Sequence, residues 1–125
     1  MTSVLIVEDE QAERAALERL FDGAGFATFA VDDGPAALVI MNHLQVNLVI
    51  LDLVLQGMSG LEVLRRIRAD LTFLDTRIAV YTALSDPQLR TEALAAGADL
   101  VLNKPLDFDE MLAALTPLLP RRSDA

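Results

Sequence analysis

SVLIVEDEQAERAALERLFDGAGFATFAV, residues 3–31, contains the pattern that decides the fold. SVLIV (3–7) is a continuous apolar run of strand length, with no polar residue alternating through it. EQAERAALERLF (10–21) changes to helical spacing, with Leu17, Leu20 and Phe21 expected to face inward. Gly23 and Gly25 stop this helix, because glycine tolerates the left-handed backbone found past helix ends. FATFAV (26–31) is a second strand. Strands that are apolar throughout need cover on both faces, so the unit reads as a strand, a crossover helix and a parallel strand.

The alternation continues to the end of the chain. DDG leads into PAALVIMNHL (35–44), where Pro35 suits a first helical turn, and LVIL (48–51) is the third strand. Ser59 and Glu62 form a capping box for LEVLRRIR (61–68). RIAVYT (77–82) is the fourth strand, followed by a helix opening at Asp86-Pro87 and closing at Gly97. DLVLN (99–103) is the fifth strand, and Asp107 with Glu110 introduces the last helix, FDEMLAAL (108–115). Pro117 and Pro120 end it. The expectation is one α/β domain over residues 1–119, a doubly wound parallel sheet of five strands with helices on both faces. Residues 120–125 would be a polar tail or the start of a linker.

Composition narrows the chemistry. A chain of 125 residues that is 53% hydrophobic can bury a real core, and 5% aromatics makes that core aliphatic. The absence of cysteine removes disulfides, thiolate metal sites and cysteine nucleophiles together. A net charge of −9 argues against a surface that tracks nucleic-acid phosphates. MTSVLIVEDE has no basic start or cleavage pattern, and no apolar run approaches the roughly 20 residues of a membrane span, so a cytoplasmic protein is expected. Nine of the ten positive residues are Arg, and Lys104 is the exception.

In open α/β sheets, ligands bind beyond the carboxyl ends of the strands. The first strand leads to Glu8 and Asp9, the third to Asp52, the fourth ends in Thr82, and the fifth leads to Lys104 and Pro105. These acids, a hydroxyl and the sole lysine therefore share one edge. Converging carboxylates repel one another, and a hard divalent cation such as Mg²⁺ (or Mn²⁺) resolves the conflict through oxygen ligands. An ionised Asp beside such a cation can act as a nucleophile toward phosphorus. The phosphoryl group then needs positive charge and donors on its oxygens. Lys104 supplies the charge, Thr82 a hydroxyl, and Ala83 is small enough to expose its backbone N–H.

At these residues the sequence resembles the response-regulator receiver domain of two-component signalling. The likeness rests on VEDE after the first strand, LDLVLQGMSG after the third, YTAL at the fourth and GADLVLNKPL at the fifth. It implies the flavodoxin-like strand order 2-1-3-4-5. It implies Asp52 as phosphoacceptor, Asp9 as a direct metal ligand, Glu8 as a ligand through water, and the backbone carbonyl of Val54 as a further ligand. Lys104 would bind the phosphoryl group, with a cis bond to Pro105. The donor would be a histidine kinase or histidine phosphotransfer protein, docking near Gln11, Arg14 and Ala15. The face of the fourth helix, fifth strand and fifth helix would carry the response. A downstream output domain or protein and a homodimer both stay open as its readers.

Three features depart from the family pattern. Gln56 stands where a proline is usual. Val101 stands where an aromatic usually couples to Thr82, so the switch would have to work without a ring there, unless Tyr81 replaces it. Val54 and Leu84, two residues after Asp52 and Thr82, cannot orient an attacking water by hydrogen bonding, which implies a long-lived phosphoryl group.

Each residue also has a plainer use. Glu8 and Asp9 could cap the first helix, Thr82 could simply end a strand, and Lys104 could be a solvated lysine. His43 reads as a surface histidine, Tyr81 as core with its hydroxyl bonded, and Arg65, Arg66 and Arg68 as the solvated face of their helix. A phosphatase using an aspartyl intermediate would want a second acid where Val54 stands. A nucleotide or flavin binder would want glycines and hydroxyls where VEDEQ presents charge. The reading is thus a phosphoacceptor that catalyses only its own phosphorylation and dephosphorylation. The alternative is a degenerate receiver acting as an interaction module.

Overall fold

In a computed structural model of the chain, residues 1–120 are described; the polar tail expected over 120–125 lies outside them from residue 121 onward. The strands are β1 (Ser3–Val7), β2 (Ala27–Val31), β3 (Leu48–Leu51), β4 (Arg77–Thr82) and β5 (Leu100–Asn103). The helices between and after them are α1 (Gln11–Gly23), α2 (Gly34–His43), α3 (Gly60–Ala69), α4 (Pro87–Ala95) and α5 (Phe108–Leu115). Short 3₁₀ turns follow α3 and α5, at Leu71–Phe73 and Thr116–Leu118. All strand pairs are parallel, in the order β2-β1-β3-β4-β5. This is the expected doubly wound, flavodoxin-like sheet.

Successive side chains of a strand point to opposite faces, and the core divides accordingly. Leu5, Val7, Val49, Leu51, Ile78 and Val80 pack with residues of α2, α3 and α4 on one face. Val4, Ile6, Leu48, Ile50, Ala79 and Tyr81 pack with α1 and α5 on the other. The apolar runs of β1 and β3 are buried at every position, which is why neither alternates with polar residues. β2, at the sheet edge, is only half-buried along its length.

Two expectations about side chains need correction. Leu20 is exposed; Leu17 and Phe21, four residues apart, form the buried stripe of α1, and Leu20 lies off that stripe. Arg68 is not on the solvated face of α3. Its guanidinium donates to the carbonyls of Gly97 (2.8 Å) and Phe73 (3.2 Å) and to Asp99 Oδ2 (2.9 Å). Arg66 does face solvent, paired with Glu62 one turn earlier. That pairing leaves the box at Ser59 half-made: Ser59 Oγ accepts from the Glu62 N–H, while the Glu62 carboxylate turns to Arg66. Asp107 caps α5 through the Asp109 N–H rather than that of Glu110.

Candidate functional site

Register brings the site together. Val7 pairs with Leu51, Leu51 with Val80, and Val80 with Val101, so the strands end nearly level. The residues that follow β1 and β3, Glu8 and Asp52, therefore emerge side by side at the switch point of the sheet. The Asp52 N–H still donates to Val7 O (3.1 Å), which ties its backbone to β1. β4 and β5 run on to Thr82 and Asn103, paired in register, and the Lys104 N–H donates to Thr82 O (2.9 Å). The next peptide bond, Lys104–Pro105, is cis.

Lys104 reaches back over the edge. Its ammonium donates to Asp52 Oδ2 (2.7 Å) and Glu8 Oε1 (2.5 Å) and pairs with Glu13 Oε1 (2.7 Å). It also lies 5.5 Å from the centroid of the Tyr81 ring. The remaining carboxylate oxygens are held by the backbone. The Val54 N–H donates to Asp52 Oδ1 (3.0 Å), and the Glu10 N–H to Glu8 Oε2 (3.0 Å). Glu8, Asp52 and Thr82 are buried, Asp9 is half-buried, and Ala83 is exposed beside Thr82.

The electrostatics follow from burial set against pairing. Burial pushes the Asp52 carboxyl up, but the Lys104 hydrogen bond, the Val54 N–H and the Lys104 charge together hold it below the usual aspartate range. For Glu8, burial prevails over the Lys104 and Glu10 bonds, and the Asp52 charge adds to the rise. Burial alone would lower Lys104; its bonds to Asp52, Glu13 and Glu8 outweigh that and hold it above the ordinary lysine value. The site is thus a buried carboxylate held ionised beside one ammonium.

Among the described residues, no three acidic or histidine side chains converge as a metal-binding group. The Lys104 ammonium already sits on both Glu8 and Asp52. The oxygen donors near this edge, the Glu8, Asp9 and Asp52 carboxylates and the Val54 carbonyl, are of the kind a hard cation takes, with no nitrogen or sulfur among them.

Several residues near this edge were not singled out by sequence. Glu13 joins the cluster from α1. Glu10 caps α1, accepting from the Ala12 and Glu13 N–H groups, a role that Glu8 and Asp9 do not take. Gly60 lies against the Asp52 backbone, where a Cβ would come within 2.1 Å of Asp52 O. A glycine directly after a capping serine was the available signal for that approach. Arg14 donates to the Glu8 carbonyl (3.0 Å), so the expected docking face around Gln11, Arg14 and Ala15 is anchored to the acidic loop.

Tyr81 and Val101 lie on opposite faces of the sheet. Val101 is buried in the cluster with Ala93 and Ala98, whereas Tyr81 packs on the α1 and α5 side and its hydroxyl accepts from the Leu106 N–H (3.1 Å). Tyr81 therefore cannot stand in for an aromatic at position 101. The carbonyl of Val101 accepts instead from Arg90 of α4 (2.9 Å). Val54 and Leu84 are both exposed at the mouth, and His43 is exposed on α2.

The chain matches the family model described as the response regulator receiver domain over residues 4–116. It is 37% identical over 124 residues to the sensory transduction protein RegX3 of Mycobacterium tuberculosis, covering 99% of this chain and 53% of that protein. It thus spans about half the length of that relative. Among solved structures it superposes on the chemotaxis protein CheY4 of Vibrio cholerae with a TM-score of 0.90 at 27% identity, covering 95% of this chain and 99% of that one. It also superposes on the response regulator TrrA of Thermotoga maritima, in complex with Mg(2+)-BeF, with a TM-score of 0.85 at 32% identity, covering 95% and 100%. The chain belongs to the response regulator receiver domain family. Receivers are signal-transduction domains of two-component systems, with phosphorylation-controlled switching as their general function, and are in general phosphoacceptors rather than enzymes. No helix among the described residues is long and apolar enough to cross a membrane.

Proposed function

We propose that this receiver, spanning residues 1–119, accepts a phosphoryl group on Asp52 from a histidine kinase or a histidine phosphotransfer protein, and that the face of α4, β5 and α5 changes in response. The observation that carries this is a buried Asp52 carboxylate held ionised 2.7 Å from the only lysine of the chain. An Asp52 oxygen forms the bond to phosphorus as the phosphorus–nitrogen bond of a phosphohistidine breaks, its electron pair leaving on the imidazole. Lys104 and the Thr82 hydroxyl stand at the same edge to meet the phosphoryl oxygens, with the Ala83 N–H beside them.

Glu8, Asp9, Asp52 and the Val54 carbonyl would hold Mg²⁺ (or Mn²⁺), the cation reported with TrrA being Mg²⁺. When bound, it would neutralise the charge that gathers around the transferred group. What α4 does in response differs from a ring-swinging switch, since Val101 is already buried and has no ring. The atypical Val101 and Gln56 keep a second reading in play, an interaction module that kept the residues without the chemistry.

The test is the intact mass of the protein after incubation with Mg²⁺ and a small acyl phosphate, beside Asp52→Asn. The expected result is a gain of one phosphoryl group, absent from the variant and abolished by a chelator. No gain despite Mg²⁺ binding would leave the interaction module as the better description.

A further inference from the structure

An ammonium group has three N–H donors and no acceptor. On Lys104 two are donated to carboxylates, Glu8 Oε1 at 2.5 Å and Asp52 Oδ2 at 2.7 Å, and Glu13 Oε1 lies 2.7 Å away as an ion pair. Glu8 and Asp52 belong to the acceptor edge. Glu13 belongs to α1, one turn beyond the capping Glu10, and phosphoryl acceptance gives it no task.

Three carboxylates around one ammonium set up a competition. A phosphoryl group on Asp52 brings new anionic oxygens beside Lys104, carrying between about one and two negative charges. The transfer turns the Asp52 carboxylate into an acyl phosphate, and an ammonium that follows the new oxygens moves away from where it meets Glu8 and Glu13. Losing a bond costs least where water can replace it. The Glu8 side chain is 4% exposed and its second oxygen is held by the Glu10 N–H, whereas the Glu13 side chain is 32% exposed. Repulsion between Glu13 and the arriving phosphoryl charge acts in the same direction.

Resting on the reading of Asp52 as phosphoacceptor, we propose that Glu13 is a positioning residue and a latch. It holds Lys104 over the empty acceptor, and Lys104 releases it when Asp52 is phosphorylated. The state of the site is thereby passed to α1 as well as to α4. A donor docked around Gln11, Arg14 and Ala15 meets a paired Glu13 before transfer and an unpaired carboxylate after it.

Because Lys104 is the only lysine, ¹⁵N-lysine labelling yields one side-chain Nζ signal that needs no assignment. The signal is recorded for the wild type, Glu13→Gln and Glu13→Ala, all in Mg²⁺, before and after addition of a small acyl phosphate, with intact masses taken on the same samples. The expected result is three distinct signals before treatment that collapse to one position after it, since Lys104 no longer touches residue 13. Differences of unchanged size after phosphorylation would overturn the latch, because the ion pair would have persisted. Coincident signals before treatment would also overturn it, by showing no pair to release. No mass gain in any of the proteins would instead sink the phosphoacceptor reading, and the latch with it.

Discussion

Replacing Lys104 by Met keeps most of the apolar stem and removes the ammonium, leaving Asp52 and Glu8 as buried neighbours without their counter-charge. Removing one partner of a buried pair is costly, so Lys104→Met should lose about 3 kcal/mol of unfolding free energy at pH 7. The pH dependence has a definite sign. Asp52 is held below its ordinary value, so its stabilising contribution is present at neutral pH and is lost as pH falls below about 3.9. Lys104 is held above its ordinary value, so its contribution is complete below about pH 10.4 and is lost only at higher pH. Glu8 works the other way: raised by burial, it gains stability as it takes up a proton. The deficit of Lys104→Met should therefore be largest near neutrality and shrink as pH falls, because the variant's buried carboxylates, without the ammonium, take up protons before those of the wild type. Denaturant melts at pH 7 and pH 3.5 measure it, and a deficit equal at both would show that lost packing, not lost charge, dominates.

The same residues show what a sequence discloses at this scale. Asp52, Thr82 and Lys104 were legible because each follows or ends an apolar strand, and strand ends converge. Glu13 was not, because it sits on a helix among other acids and only the reach of the Lys104 side chain selects it.

At the scale of elements, the start of α3 bears on the site more than its composition suggests. The Gly60 N–H donates to Leu53 O (3.1 Å), and a Cβ there would stand 2.1 Å from Asp52 O and 2.6 Å from Leu53 Cα. Those are backbone atoms, so the clash is relieved only by moving the loop that carries Asp52. Gly60→Ala should cost about 3 kcal/mol, at the upper end for overpacking, and should slow phosphoryl gain from a small acyl phosphate. Denaturant unfolding and the mass assay on one preparation check both; a variant as stable as the wild type would mean that the loop shifts freely. Element positions were largely readable, since apolar runs and helical spacing are local properties. Their ends were set by contacts. α1 begins after Glu10 because that carboxylate is free to accept from the Ala12 and Glu13 N–H groups, while Glu8 is turned toward Lys104.

Across the whole molecule, Arg68 ties together elements far apart in sequence. From the end of α3 it reaches the turn before β4 through Phe73 O and the approach to β5 through Gly97 O and Asp99. Asp99 in turn accepts from the Ile78 N–H at 2.8 Å. Arg68→Ala should cost about 2 kcal/mol, since partly buried acceptors lose a charged donor. Arg66→Ala, which removes an exposed pair with Glu62, should stay within about 0.5 kcal/mol. Equal losses in the two would show that Arg68 contributes only as a surface residue.

Local sequence pattern was enough for the succession of strands and helices along the chain and, through the convergence of strand ends, for the edge where Glu8, Asp52, Thr82 and Lys104 meet. The sheet order 2-1-3-4-5 was expected only from the family resemblance. Apolar runs and glycine stops are local, and parallel strand direction follows from them once each helix must cover its own strands. It took the folded structure to show that Lys104 is shared among Glu8, Glu13 and Asp52, that Gly60 presses on the loop carrying Asp52, and that Tyr81 and Val101 face opposite ways. Each of those depends on register between strands or on where a long side chain ends, and both are fixed by packing at a distance.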